Sequence, residues 1–155
     1  MMNFLRNAAL TALLAAGTSA GAASYIGLYS PLIGVQYQQD LDPQSALRFG
    51  AGLPLGSVGG ESSSFLLSGD AAYLYRLTAG TSSYVPYLGA GLGLTAFTGT
   101  NTTLIFNAGV LLGLEYHFTD RLNTAYEFGF GPAWSPESPT VLFAPSFRVG
   151  LNYRL

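Results

Sequence analysis

The sequence predicts an all-β protein: an eight-stranded up-and-down antiparallel transmembrane β-barrel, preceded by a cleaved signal peptide. Three observations carry this. First, from Ser146 to Leu155 the chain alternates strictly, with Phe147, Val149, Leu151, Tyr153 and Leu155 set against Ser146, Arg148, Gly150, Asn152 and Arg154. That period of two belongs to a strand with one apolar face. Second, charged residues make up 9% of the 155 residues and the mean hydropathy is +0.34, where a soluble domain carries about 25% charge. Yet no segment after the N-terminal region offers the roughly twenty consecutive apolar residues of a membrane helix. High hydrophobicity without a long apolar run is what a barrel shows, because lipid-facing residues are diluted one-to-one by lumen-facing ones. Third, clusters of Gly, Pro, Ser, Asn and Asp cut the chain into alternating pieces, and no helical period of 3.6 competes.

The elements follow in order. Arg6 lies within Met1 to Asn7, the uncharged run Ala8 to Ala16 follows, and small residues lead to Ala20-Gly21-Ala22. This is the pattern of a secretory signal, too short to span a bilayer as a helix, with cleavage after Ala22 or Ala23. Residues 1–22 are therefore read as signal peptide and 23–155 as one barrel domain. Eight pieces run approximately Tyr25 to Tyr29, Leu32 to Gln39, Ala46 to Leu55, Phe65 to Leu77, Val85 to Phe97, Leu104 to Phe118, Leu122 to Gly131 and Val141 to Leu155. With both termini in the periplasm, Asp40 to Ser45, Thr78 to Ser83 and Thr119 to Arg121 turn there. Val58 to Ser64, Thr98 to Thr103 and Pro132 to Pro139 then face outward. The first two pieces are separated only by Ser30-Pro31, and each is shorter than the roughly 9 to 11 residues of a spanning strand. They are either a tight hairpin or one bent strand, since Pro31 is confined to edges, turns or bulges; the second case leaves seven strands.

The direction of the alternation separates a membrane barrel from a soluble ligand-binding one. In the sixth piece Leu104, Phe106, Ala108, Val110, Leu112, Leu114, Tyr116 and Phe118 share one phase, and Ile105, Asn107, Gly109, Leu111, Gly113, Glu115 and His117 the other. In the fourth, Phe65, Leu67, Ala71, Tyr73, Tyr75 and Leu77 oppose Ser68, Asp70 and Arg76. A solvated face calls for Lys, Glu, Gln and Thr; glycine punctuated by a few charges suits the crowded interior of a small barrel. Phe106, Val110, Leu112, Leu114, Phe147, Val149 and Leu151 are therefore expected to face lipid. Arg48, Asp70, Arg76, Glu115, Glu127, Arg148 and Arg154 are expected to form an ion network in the lumen, because buried charges persist when paired. Glu115 and Glu127 should lie diagonal on one lumen face, with Arg76 or Arg148 bridging both; the sharper alternative is a proton-handling pair. Tyr25, Tyr29, Tyr37, Tyr73, Tyr75, Tyr84, Tyr116, Phe118, Tyr126 and Tyr153 read as interfacial girdles, with an aromatic core as the alternative. Trp134 falls in an outer loop, to touch lipopolysaccharide or, preferentially, to pack on the rim.

Several functions are disfavoured. All six basic residues are arginine, and without Arg6 five stand against eight acids, a formal charge of about −3. No basic run tracks phosphates, so nucleic acid is not an expected partner. Cysteine is absent, the single histidine has no partner set of metal-ligand spacing, and neither a metal nor another cofactor is expected. Gly89-Ala90-Gly91-Leu92-Gly93 is followed by no helix start, so it is not a phosphate-cradling loop; its glycines make room for opposing side chains.

Tyr84-Val85-Pro86-Tyr87-Leu88-Gly89-Ala90-Gly91-Leu92-Gly93 and Gly113-Leu114-Glu115-Tyr116-His117-Phe118-Thr119-Asp120-Arg121-Leu122 resemble the middle strands and a periplasmic turn of the OmpA-type small outer-membrane β-barrel family. The two stretches make up 20 residues of the expected mature chain, and the periodic final strand extends the resemblance. It implies an integral barrel of the outer membrane, exported through the signal peptide. Its partners would be outer-membrane lipid, lipopolysaccharide and the barrel-assembly machinery. Tyr153 and Leu155 would supply the assembly signal, although the family pattern ends in Phe. The role expected is a non-enzymatic envelope one with surface loops open to binding, and a small-solute pore is the runner-up. His117-Phe118-Thr119 with Glu127 distantly resembles the His-x-Ser and later Glu of the outer-membrane lipid A deacylase family. Thr119 stands in place of the serine, however, and the phase turns His117 and Glu127 inward, away from any acyl ester. No residue is therefore expected to be catalytic. A secreted soluble barrel with an apolar ligand completes the alternatives.

Overall fold

A computed structural model describes residues 23–30, 32–54, 65–78, 82–98 and 102–155. Its strands are β1 (Ser24–Ser30), β2 (Leu32–Asp40), β3 (Ser45–Pro54), β4 (Phe65–Arg76), β5 (Tyr84–Thr98), β6 (Thr102–His117), β7 (Leu122–Trp134) and β8 (Val141–Arg154). They form one closed barrel in sequence order, every neighbour pair antiparallel. β1 closes the ring on β8 in the register Tyr25 to Arg154 through Ser30 to Val149. Closure pairs strand edges that would otherwise be free, and it leaves the alternating side chains an inside and an outside. The expected signal peptide and the connection Val58 to Ser64 lie outside the described residues.

The first two pieces are separate strands, a short hairpin in which Tyr29 stands opposite Gly34, so the barrel has eight strands and not seven. β7 runs three residues past its expected end, to Trp134, because the outward phase of Tyr126, Phe128 and Phe130 continues and the Trp134 ring stacks on Phe106 at 5.9 Å. Trp134 is thus a rim-packing residue at a strand end. The β6 and β7 ladder has no registered pair between Asn107 with Ala133 and Val110 with Phe130, since Pro132 lacks the donor such a pair would use.

Short turns are held by side chains. In the turn joining β2 to β3, Asp42 Oδ1 accepts from the Gln44 and Ser45 amides at 2.7 and 2.8 Å. The Gln44 amide, first among these donors, holds the Asp42 carboxyl below its usual value. Between β6 and β7 the Thr119 hydroxyl accepts from the amides of Arg121 and Leu122. Thr119 is occupied as a turn former, the role a small hydroxyl takes in such loops.

Candidate functional site

Two surfaces of the barrel carry its chemistry, the outer belt and the lumen. On the belt, Val110 is 66% exposed, Leu112 55% and Phe147 58%, with Leu114 and Leu151 also exposed. Val149 is half-buried, and Phe106 is partly covered by Trp134. The same outward phase continues in Ile26 and Leu28 of β1, Val35 of β2, Leu67 of β4, Leu88 and Leu92 of β5 and Phe128 of β7. Tyr73, Tyr75, Tyr84, Tyr126 and Tyr153 also face out, most of them toward the end of the barrel that holds the β2–β3 turn. Phe97, Trp134 and Phe143 populate the opposite end. Tyr25 and Tyr29, expected among the girdle residues, are instead buried in the lumen, because β1 turns Ile26 and Leu28 outward. Leu155 is exposed, with its amide bonded to the Ser24 carbonyl.

Inside, three ionic clusters form. In the first, Arg76 reaches Asp40 through Nη2 at 2.8 Å and Glu115 through Nε at 3.2 Å. Gln38 donates to the other Glu115 oxygen, and His117 Nε2 lies 3.6 Å from Glu115 Oε2. In the second, Arg48 grips both oxygens of Glu127, and the Tyr87 hydroxyl donates to Glu127 at 2.5 Å. In the third, Arg148 pairs with Asp70 at 2.5 Å and lies over the Tyr29 ring, 4.0 Å from its centroid. A neutral chain of Gln36, Asn152 and Asn123 adds to the filling. Charge-assisted pairs of this kind satisfy buried ions through both Coulomb attraction and fixed hydrogen bonds.

Tyr87 is fully buried, and it fits because its cross-strand neighbour is Gly113. A Cβ on Gly113 would collide with the Tyr87 ring. Gly113 in turn stands opposite Glu127 on β7, so the aromatic ring crosses the bare glycine to reach the carboxylate.

Six of the seven residues expected in an ion network are thus brought into pairs, and Arg154 is not. It is exposed at the end of β8 and makes no ion pair among the described residues. The strand ends there, so the side chain has reached the mouth of the barrel. Glu115 and Glu127 do lie diagonal across the β6–β7 ladder. No single arginine bridges them: Arg76 serves Glu115, Arg48 serves Glu127, and Arg148 is taken by Asp70. Tyr87 and Asp40 were not anticipated. Tyr87 shares the glycine phase of Gly89, Gly91 and Gly93, and Asp40 the phase of Gln36 and Gln38, which is the signal that marks both as lumen residues.

His117 points to the lumen carboxylate Glu115, and Thr119 is engaged in its turn, so the two do not form a nucleophile and base. Among the described residues no group of three or more His, Cys, Asp or Glu is placed to hold a metal. Toward the end opposite the β2–β3 turn, beyond the second and third clusters, lies a cavity of about 390 Å³ lined by Arg48, Asp70, Glu127, Arg148, Tyr29 and Asn107 among others.

No protein-family model matches this chain, and no curated protein matches it. Among solved structures, it is similar to the N-terminal β-barrel domain of OprF from Pseudomonas aeruginosa, with a TM-score of 0.59 and 17% identity. That match covers 85% of this chain and 95% of the other. It is likewise similar to neisserial surface protein A, with a TM-score of 0.54 and 16% identity over 86% of this chain and 94% of that one. The fold is thus the closed eight-stranded up-and-down barrel that this chain shares with these two proteins, the fold class the sequence predicted.

Proposed function

We propose that this chain is an integral barrel of the bacterial outer membrane with a structural, non-enzymatic role in the envelope, its outer loops available for binding. The observation that carries the reading is the inside-out arrangement of side chains: Leu, Val, Ile and Phe exposed around the wall, and ionised groups buried within. In water such a belt is a large apolar patch that monomeric soluble proteins avoid, whereas in hydrocarbon it is the favourable surface. A soluble ligand-binding barrel requires the reverse. The shared fold with OprF and neisserial surface protein A supports the same reading. The ionic clusters cross the lumen below its cavity, which argues for a plugged barrel and against a continuous water-filled pore.

Envelope fractionation combined with heat-modifiable gel mobility tests this. The expected result is recovery with the outer membrane and a faster-migrating unheated band. Recovery in the aqueous periplasmic fraction would overturn it. Lipid A is expected to keep its acyl pattern on expression, read by mass spectrometry.

A further inference from the structure

We infer that the rim of the barrel where β7 begins and β8 ends binds the headgroup of a phosphatidylethanolamine molecule, Arg121 and Arg154 taking its phosphate and Asp120 its ammonium. The inference rests on the membrane insertion proposed above and goes beyond it.

The charge distribution singles out this rim. The sequence has no lysine, and five arginines follow Arg6. Arg48, Arg76 and Arg148 are tied in the lumen to Glu127, to Asp40 and Glu115, and to Asp70. The two that remain, Arg121 and Arg154, are exposed and come together. The Arg154 amide donates to the Arg121 carbonyl at 2.7 Å, and both residues line one open hollow with Asp120, Tyr153 and Leu155. Neither makes an ion pair among the described residues. Of the eight acids only Glu61 lies outside the described residues, and it belongs to the connection between Pro54 and Phe65 at the opposite end of the barrel, out of reach of this rim. The connections at that opposite end, residues 31, 55–64, 99–101 and 135–140, hold no arginine, so exposed arginines are confined to this rim.

Arg121 reaches the outer surface, where its Nη1 donates to the Tyr153 hydroxyl at 3.4 Å. Tyr153 belongs to the outward row of β8 with Leu151 and Phe147, all three exposed. Leu122 is the β7 partner of Tyr153, and the exposed Phe118 bonds through its amide to the Leu122 carbonyl, so the apolar row continues sideways. The arginines therefore stand where the aromatic girdle gives way to water, with a surface suited to hydrocarbon directly below. Two neighbouring guanidiniums without ion-pair partners repel each other, and a phosphate between them relieves that repulsion while accepting hydrogen bonds from both. Basic pockets at a membrane surface take lipid headgroups by this chemistry. Asp120 is exposed in the same hollow, and its carboxylate makes no ion pair or hydrogen bond among the described residues. It supplies the acceptor that a primary ammonium needs. Two cationic donors and one anionic acceptor in one hollow match a headgroup with both a phosphate and an ammonium. The acyl chains then lie along Tyr153, Leu151 and Phe147.

The test uses the full barrel in detergent micelles with equal amounts of phosphatidylethanolamine, phosphatidylglycerol and phosphatidylcholine, and native mass spectrometry counts the lipids retained. One phosphatidylethanolamine, held in preference to the other two, is the expected result. Combining Arg121→Gln with Arg154→Gln should cut its retention about tenfold. Both positions are exposed, so the heat-modifiable band should persist in that variant. Asp120→Asn should remove the preference over phosphatidylglycerol and leave the phosphate bound. Equal retention of the three lipids, a preference for phosphatidylglycerol in the unmodified protein, or a preference unmoved by the double substitution while the band persists would overturn the inference and leave membrane insertion standing. Absence of that band in the unmodified protein would instead remove the reading on which the inference rests, and the inference with it.

Discussion

At the scale of single residues, position relative to the wall decides what a substitution does. Leu112 lies on the belt with its side chain outward, so Leu112→Arg should cost about 2 to 4 kcal/mol at mid-bilayer, measured by folding titration into lipid vesicles. Little change would mean that the outward row does not meet hydrocarbon. Inside, Arg48→Ala strands the Glu127 carboxylate and should destabilise by about 3 to 5 kcal/mol, because a buried charge without its partner keeps its desolvation penalty. Replacing both Arg48 and Glu127 by Met should recover most of that loss in the same titration. At the turn, the depressed Asp42 carboxyl sets a pH dependence of defined sign. Its contribution is present above the unfolded value of 3.8 and is lost as pH falls through the lower folded value. Nuclear magnetic resonance titration should place its midpoint below that of an ordinary aspartate, and Asp42→Asn should remove this acid-side loss.

At the scale of elements, the strands were legible because a wall between two different solvents writes a period of two into every segment that crosses it. Leu104 to Phe118 is the clearest instance: fourteen of its residues fall within β6, with the oily phase outward. What was not legible follows from the same physics. β1 is short and its Tyr25 and Tyr29 look like belt residues, yet the phase of two aromatic residues in a short strand is ambiguous until Ile26 and Leu28 are seen to claim the outside. Trp134 sits among prolines that read as loop, and only its packing on Phe106 extends β7 to reach it. Partner choice among the lumen ions depends on which strands face each other across the barrel, and alternation alone does not encode that. The unit of Tyr87, Gly113 and Glu127 tests an element directly. Gly113→Ala should displace the Tyr87 ring and destabilise by about 1 to 3 kcal/mol, whereas Tyr87→Phe should lose only a hydrogen bond to a charged group, about 1.5 to 3 kcal/mol. Urea titration of the two variants, with near-ultraviolet circular dichroism to follow the ring, compares them.

At the scale of the whole molecule, the lumen holds the first cluster toward one mouth and a cavity toward the other, so no continuous aqueous path is expected. Planar-bilayer recordings of the purified protein should show no discrete conductance steps, and their presence would reverse the plugged reading. The ring also has an uneven circumference. Seven of its eight junctions join strands adjacent in the chain, and the long hairpin of Tyr84–Thr98 with Thr102–His117 is the most extended of them. The eighth, between Ser24–Ser30 and the end of Val141–Arg154, is short and unites the two extremes of the barrel chain. Loop-closure entropy therefore falls on a junction that, like the one between Ser24–Ser30 and Leu32–Asp40, is among the shortest in the ring and has few bonds to offset it. That seam should zip last during insertion and breathe first in the mature barrel, and its amides should exchange deuterium ahead of those in the Tyr84–Thr98 hairpin.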